Sequence, residues 1–488
     1  MLTIASCDDK REAYMPRNFE DFKGHTICVL QGSMQQDYAM KHLNDNETKF
    51  VAFGSSTDCM AALALGKADA FFASSLHAYN EAFRRQHLKI SALAENMDTP
   101  IAMGFKKGND ALVNDYNAFQ DSLERSGELK RIVDKWFNPN NTDFHDCVVI
   151  PPTAAKPTTE TKVLRLGISG IKPPAEVMID NKWTGCEIEL LQRYTTSRGL
   201  TLIIDTYEFG NLIPALQTDK IDVAASTLAV TDERREKISF AHVYAYAQPA
   251  FLVVDPDYVS TKSMWEEFKE SVYFSLIMEN RWQLLIDGFW ITLIVSICSL
   301  IFGSLLGGIV CWLTMNRHRW LRFIGKSYLY LIRNIPMLVL LMLMFYVVLA
   351  NTGLPTIIVA IIAFGMNSAA YISEIYRTGI LSVDNGQREA GLAMGFSPSQ
   401  TFFYFIAPQA IRKALPVFKN EAVSLLKGTA IVGYISIVDL TKASDLIRSA
   451  SFEAFLPLFV ISVVYFFLAW LFTAIIDFAG RPRHGGSK

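Results

Sequence analysis

Gln387-Arg388-Glu389-Ala390-Gly391-Leu392-Ala393-Met394-Gly395, followed by Phe405-Ile406-Ala407-Pro408-Gln409, is a polar stretch set between long apolar runs. Asp384 is placed to cap a helix start, and Gln387 stands three residues on, the spacing of a capping box. Gly395 can end that helix in the left-handed conformation. Ser397-Pro398 reads as the cap and first turn of a second helix, which Pro408 interrupts. Ala390, Gly391 and Ala393 give the first helix a slim face that a groove on another protein can accept closely. A helix this polar does not belong in lipid, so its flanks read as spans and the stretch as a loop between them.

The pattern resembles the EAA loop of ABC-importer permeases. Glu389, Ala390, Gly395, Phe405 and Pro408 stand at that family's spacings, while Gly391 replaces an alanine and Ala407 a leucine. Arg333-Asn334-Ile335-Pro336, Asn367-Ser368-Ala369-Ala370-Tyr371, Pro408-Gln409-Ala410 and Ser424-Leu425-Leu426-Lys427 are similar to the polar-amino-acid branch. The resemblance covers residues 287–477. It implies that Glu389, Ala390, Gly391, Gly395 and Pro408 couple the chain to a cytoplasmic ATPase dimer. It also implies a second permease copy, so that the permease works as a homodimer. No G-x-x-x-x-G-K-[ST] loop is present, so ATP would be bound by the partner. This chain then needs no cofactor and is a transport subunit, not an enzyme.

Working outward, the chain has 488 residues, enough for two or three domains, and 51% of them are hydrophobic. Mean hydropathy is +0.21, an average over a polar first half and an apolar second half. The net charge of −2 gives no sign of nucleic-acid binding. Seven cysteines lie scattered with no metal-ligand spacing, so no metal site is expected. Ile4-Ala5-Ser6-Cys7 resembles a lipobox and makes Cys7 a candidate lipidation site within 1–18. Only three residues precede it, too few for a signal peptide. Either the start is placed too late or the match is chance.

Residues 19–137 alternate strands and helices, as do 162–255, which implies parallel sheets. The Pro- and Thr-rich segment 138–161 between them reads as a linker. Ala62-Leu63…Lys67…Asp69…Ser74 echoes Ala215-Leu216…Lys220…Asp222…Thr227 in spacing. Leu212-Ile213-Pro214-Ala215-Leu216, Thr231-Asp232-Glu233-Arg234-Arg235 and Ile238-Ser239-Phe240 resemble the first lobe of periplasmic amino-acid-binding proteins. Asp21-Phe22-Lys23-Gly24, Leu30-Gln31-Gly32-Ser33 and Lys135-Trp136-Phe137 resemble the second lobe and its returning helix. The order is reversed, which points to a circularly permuted binding domain; two broken half-domains or a missing upstream half are the alternatives. The expected fold is thus a two-lobed α/β periplasmic-binding-protein-like domain followed by an all-α transmembrane bundle of about five helices.

A connector, 256–283, carries Trp265, Tyr273, Phe274 and Trp282, which suit a membrane interface. The membrane domain, 284–480 with its coupling loop at 384–409, holds five expected spans: 284–315, 328–350, 354–380, 417–438 and 455–478. Pro336 inside the second is tolerable in a bundle. Basic residues follow the first span (Arg317, Arg319, Arg322, Lys326), the third (Arg377, Arg388, Arg412, Lys413) and the fifth (Arg481, Arg483, Lys488). The positive-inside rule puts the binding domain outside a bacterial inner membrane and the C-terminus inside.

The binding-protein resemblance also implies a ligand site. Arg234 would grip an α-carboxylate, the geometry a guanidinium suits. Phe209 would stack on the ligand, with Ser226, Thr227 and Ala229 beside it. Ser33 and Met34 match the second lobe's carboxylate-facing turn. Ser74 stands where the family places an acid for the ligand's ammonium group, and Ala229 where threonine is usual. Carboxylate recognition is therefore kept while ammonium recognition is not, unless Glu176 replaces it. Asn367, Ser368 and Glu374 are polar positions on one span that can line a path, although Glu374 and Arg377 have the spacing of a simple ion pair. The expected function is import of an amino acid or amino-acid-like carboxylate. A ligand-gated channel would need a filter loop, and a transmembrane sensor a cytoplasmic output domain; neither is evident here.

Overall fold

The computed structural model describes residues 16, 19–43, 47–76, 88–93, 98–138, 144–147, 162–255, 263–451, 453 and 455–480. Cys7, Lys156 and the basic residues after 480 lie outside them. The chain divides into two compact units, Met1–Arg281 with Leu446–Ala454, and Trp282–Asp445 with Phe455–Lys488.

The first unit contains fourteen described strands, β1 (Thr26–Leu30), β2 (Lys49–Phe53), β3 (Ala70–Ser74), β4 (Leu88–Leu93), β5 (Thr99–Ile101), β6 (Gly104–Lys106), β7 (Val163–Ile168), β8 (Val177–Ile179), β9 (Lys182–Thr184), β10 (Thr201–Thr206), β11 (Val223–Ala224), β12 (Ile238–Phe240), β13 (Ala245–Ala247) and β14 (Pro249–Val254). They build two five-stranded sheets, β2-β1-β3-β14-β4 and β10-β7-β11-β6-β12. In each, the first three strands are parallel. The fourth is antiparallel and comes from the other segment of the chain: β14 joins the first sheet and β6 the second. The two exchanges are prepared by a short antiparallel ribbon, β5 against β13, just before β6 and β14.

The sheets therefore do not divide as the sequence segments do. Residues 19–137 supply one sheet but also β6 and two helices to the other. Those helices, Asp110–Arg125 and Glu128–Trp136, separate at Gly127, whose φ is +73°. They bury Tyr116, Phe119, Ile132 and Trp136 against Leu166, Ile188, Leu191 and Tyr194 of the second sheet's layers. The Trp136 indole N–H donates to Glu189 at 2.7 Å, which satisfies a buried polar pair. The first sheet has two covered faces, with Cys28, Met60 and Phe71 on one and Ile27, Phe72 and Phe251 on the other. Continuous burial of β3 and β14 fits strands covered on both sides.

The second unit is helical. Three helices are long and apolar enough to cross a membrane: Trp282–Met315, Thr356–Leu381 and Phe455–Phe478. Two bent pairs bring the number to five if each is one span: Arg319–Asn334 with Met337–Val348, and Pro398–Ile435 with Leu440–Ser451. The first two helices pack closely because glycine removes side-chain bulk. A Cβ on Gly303 would meet the Gly365 carbonyl at 3.0 Å, and one on Gly307 the Ala369 carbonyl at 3.1 Å. Trp290, Ile294, Ile297, Ile301, Leu305 and Ile309 on the same long helix stay exposed. Apolar residues outside and small residues inside are what a lipid solvent favours.

Two expectations on these spans change. The expected span 328–350 is not one helix but turns through 107° after Asn334. Pro336 forces Ile335 into an extended conformation, with φ −93° and ψ 125°, and restarts the helix as its cap. Pro408, expected to interrupt a helix, instead sits in the first turn of the helix Ala407–Gly428. The wide turn Phe402–Ile406 before it absorbs the hydrogen bond that proline cannot make.

Candidate functional site

Both five-stranded sheets place a strand's return on opposite sides of a central strand, β1 in one and β7 in the other. Such a switch point opens a crevice at the carboxyl ends of the parallel strands. One cleft gathers loops from these ends. Its lining includes Ser33, Met34 and Ser74 from the first sheet's side. From the second sheet's side come Lys172, Phe209, Ser226, Thr227, Ala229 and Arg234. All eight ligand positions expected from sequence thus line one cavity.

Each is held by local chemistry. Ser33 caps the helix Met34–His42, its hydroxyl accepting from Gln36 N–H at 3.1 Å. Thr231 caps the short helix Asp232–Lys237 and so orients Arg234. The Arg234 guanidinium donates to the carbonyls of Ala229, at 2.9 Å, and Gly32, at 3.0 Å. It stands 5.5 Å from the Phe209 ring centroid, and the Lys172 ammonium stands 4.5 Å from the same centroid. Burial pulls the Arg234 guanidinium below its usual pKa, although Asp37 and Glu233 oppose this. Arg235, its neighbour, is exposed.

The loop after β11 is strained. Ser226 and Thr227 have φ of 100° and 49°, in the region that L side chains rarely adopt. That conformation ends β11 at Ala224. Glu187, fully buried, holds the strain. It accepts from the N–H groups of Ser226 at 2.8 Å and Thr227 at 3.0 Å, and from the Tyr244 hydroxyl at 2.6 Å. Glu176 is also fully buried and is not among the cleft's lining residues. Burial, and then Glu187 nearby, push its carboxyl well above the usual range. Glu176 therefore does not stand in for the missing ammonium acceptor. Sequence reasoning missed Glu187 and Lys172. Their signals were an acid in the first turn of the helix Cys186–Arg198 and a lone cation just after β7.

The coupling stretch forms the helix Asn385–Ala393. Asp384 caps it by accepting from Gly386 N–H at 2.7 Å. The expected capping box with Gln387 is not formed, because the Gln387 carbonyl oxygen accepts from Gln409 at 3.0 Å instead. Gly395 ends the helix with φ +87°. Ser397 forms a full capping box with Gln400 behind Pro398. Glu389 and Ala390 are exposed. Gly391 is buried, and a Cβ there would meet Thr401 at 2.6 Å. It therefore packs the loop internally and is not part of an outward slim face. Leu392, Met394, Phe403 and Tyr404 are exposed apolar side chains around it.

A second pocket, open to the surface of the helical unit, is lined by Arg333, Tyr371, Glu374, Lys413, Asn420 and Glu421, among others. Glu374 pairs with Arg377 at 2.8 Å. Ser368, buried, donates to Glu421 at 3.0 Å.

The family model described as "Binding-protein-dependent transport system inner membrane component" matches residues 276–481. The L-cystine transport system permease of Bacillus subtilis is 33% identical over 207 residues, 42% of this chain and 88% of its own length. A nopaline transport system permease of Agrobacterium fabrum is 33% identical over 214 residues, 40% of this chain and 89% of its own. The crystal structure of an amino acid ABC transporter with histidines is 31% identical, covers 46% of this chain and 99% of its own, and superposes with a TM-score of 0.39. With the spans, the glycine-terminated polar loop, the matching family model and the two permease relatives, the chain belongs to the family of inner membrane components of binding-protein-dependent transport systems, multi-pass permeases that carry out transport rather than catalysis.

Proposed function

We propose that this chain is the permease of an ABC importer that carries its own substrate-binding domain and imports an amino acid or amino-acid-like carboxylate. The observation that carries the reading is the single cleft that collects Arg234, Phe209 and six further expected ligand positions at the carboxyl ends of two sheets. Arg234 grips the carboxylate with its planar donors. The two lobes are halves of one permuted domain, supported by the reciprocal insertion of β6 and β14. The cavity lined by Glu374 and Glu421 is the path through the membrane. Two copies of the permease work with a cytoplasmic ATPase dimer.

The helix Asn385–Ala393 docks in that ATPase, with Glu389 and Ala390 exposed and Leu392 and Met394 beside them. Gly395→Val tests this. A Cβ at Gly395 meets nothing within 4 Å, so the only penalty is its φ of +87°, about 1–2 kcal/mol for an L residue. Association with the ATPase drops while ligand binding persists; undiminished ATPase-driven uptake by the variant contradicts the docking role.

The basic loops face the cytoplasm and the α/β unit faces outward. Single cysteines at Lys156 and Arg317 read this with a membrane-impermeant thiol reagent applied to right-side-out vesicles. Lys156→Cys reacts and Arg317→Cys does not; the opposite pattern overturns the orientation.

A further inference from the structure

Two cysteines meet in the core of the first sheet. In the order β2-β1-β3, β2 and β3 flank β1 and run parallel to it. The helix Ser56–Ala64 joins β2 to β3, so it has to cross the face of β1. Cys28 is the middle residue of β1, and alternation turns it to the face opposite Ile27 and Val29. It lies in the core that this helix covers, with Met60 and Leu63, while Ile27 and Val29 lie in the core on the other face. Cys59 stands in the same covered core, one helical turn before Leu63. Both cysteines are fully buried, and both are thiols in this structure. A hydrogen bond with the Cys59 side chain outweighs burial and pulls the Cys28 thiol below its usual pKa. A strand and the helix that crosses it thus present two neighbouring sulfurs to each other. That is the first geometric requirement of a disulfide.

We propose that Cys28 and Cys59 are a disulfide-forming pair, oxidised by thiol–disulfide exchange with a disulfide oxidant of the extracytoplasmic compartment. This rests on reading the α/β unit as facing outward, where disulfides persist. The exchange has two steps. The Cys28 thiol loses a proton, and its sulfur attacks the oxidant disulfide. One oxidant thiol leaves, and a mixed disulfide remains. The Cys59 thiol then loses a proton, and its sulfur attacks Cys28. The Cys28–Cys59 bond forms, and the second oxidant thiol leaves. Two electrons and two protons pass from the pair to the oxidant. Neither sulfur reaches solvent in the folded unit, so the exchange belongs to folding, before the helix closes over β1.

The bond staples two parts of the ligand cleft together. Ser56, in the first turn of the helix, lines the cleft, as do Ser33 and Met34 just after β1. Fixing the helix on β1 holds these positions against each other. The link also restricts the unfolded chain between Cys28 and Cys59.

The test is mass spectrometry on the full chain purified from membranes, with thiols blocked by N-ethylmaleimide in denaturant and without reductant. The peptides holding Cys28 and Cys59 are expected as one linked species, with the exposed Cys298 alkylated. Reductant is expected to separate them and to lower the Tm of the α/β unit by on the order of 5–10 °C. A double variant, Cys28→Ala with Cys59→Ala, is expected to melt at a temperature that reductant does not change. A packing role alone would alter the variant's Tm without making the wild type sensitive to reductant. Recovery of both cysteines alkylated on separate peptides overturns the inference. So does linkage of either one to another cysteine, or a wild-type Tm that reductant leaves unchanged. Labelling of Lys156→Cys separates the causes. Free thiols with Lys156→Cys labelled from outside overturn the staple alone and leave the importer standing. Free thiols with Lys156→Cys labelled only from the cytoplasmic side overturn the outward orientation as well.

Discussion

Arg234→Ala is expected to weaken ligand binding by roughly 30-fold to several-thousand-fold. Truncating one partner of a desolvated charge-assisted pair costs about 2–5 kcal/mol, and about 1.4 kcal/mol is tenfold in affinity. The guanidinium is half-buried in the cleft and backed by Phe209, so water replaces it poorly. Arg235→Ala removes an exposed guanidinium from the same short helix and is expected to change affinity little. The pair separates a contact role from a helix-stability role. Calorimetry on the full chain reads both. Equal binding by wild type and Arg234→Ala contradicts the site.

Glu187→Ala is expected to destabilise the α/β unit by about 3 kcal/mol or more. It strands the N–H groups of Ser226 and Thr227 and the Tyr244 hydroxyl, and each buried donor left unsatisfied costs about 1–3 kcal/mol. For a unit of this size that is a fall in Tm on the order of 6–12 °C. The loop strain at Ser226 and Thr227 is also released, so the cleft loses shape as well as stability. Glu187→Gln keeps one acceptor and is expected to lie between. Unchanged thermal unfolding of Glu187→Ala, followed by near-UV circular dichroism, contradicts this account of the loop.

The sequence made some features plain because their signals are local. Gly395 needs a positive φ at a helix end, and Ser397-Pro398 followed by Gln400 is a complete cap within four residues; both forms are present. The strands β1, β2, β3, β7 and β10 are apolar runs between turns and read directly. Other features depend on distant partners. Gln387 had the right spacing for a capping box, but Gln409, on the following helix, competes for its carbonyl oxygen. Gly391 looked available to a partner, but Thr401 fills the space beside it. Strands β6 and β13 have three residues each, too short to show a period, and the exchange of β6 and β14 between sheets leaves no local trace. The bend at Pro336 was visible as a proline, but its size is set by the extended Ile335 and not by composition.

At the ligand cleft, the residue types were legible and the electrostatics were not. Arg234 and Phe209 were found from resemblance. Lys172 was missed, because its place over the Phe209 ring emerges from the packing of two loops. Glu176 was a natural candidate for an ammonium acceptor because it is acidic and close in sequence. Full burial away from the lining removes it.

The central claim is that one chain both captures the substrate and forms its path, with a partner ATPase driving the passage. The most direct measurement is ATP hydrolysis by the chain reconstituted in proteoliposomes with its ATPase, with ligand added on the side of the α/β unit and no separate binding protein present. The account predicts that ligand stimulates hydrolysis in the wild type and that Arg234→Ala abolishes the stimulation while leaving the ATPase bound. Stimulation that appears only when a separate binding protein is supplied, or that survives Arg234→Ala intact, would contradict it.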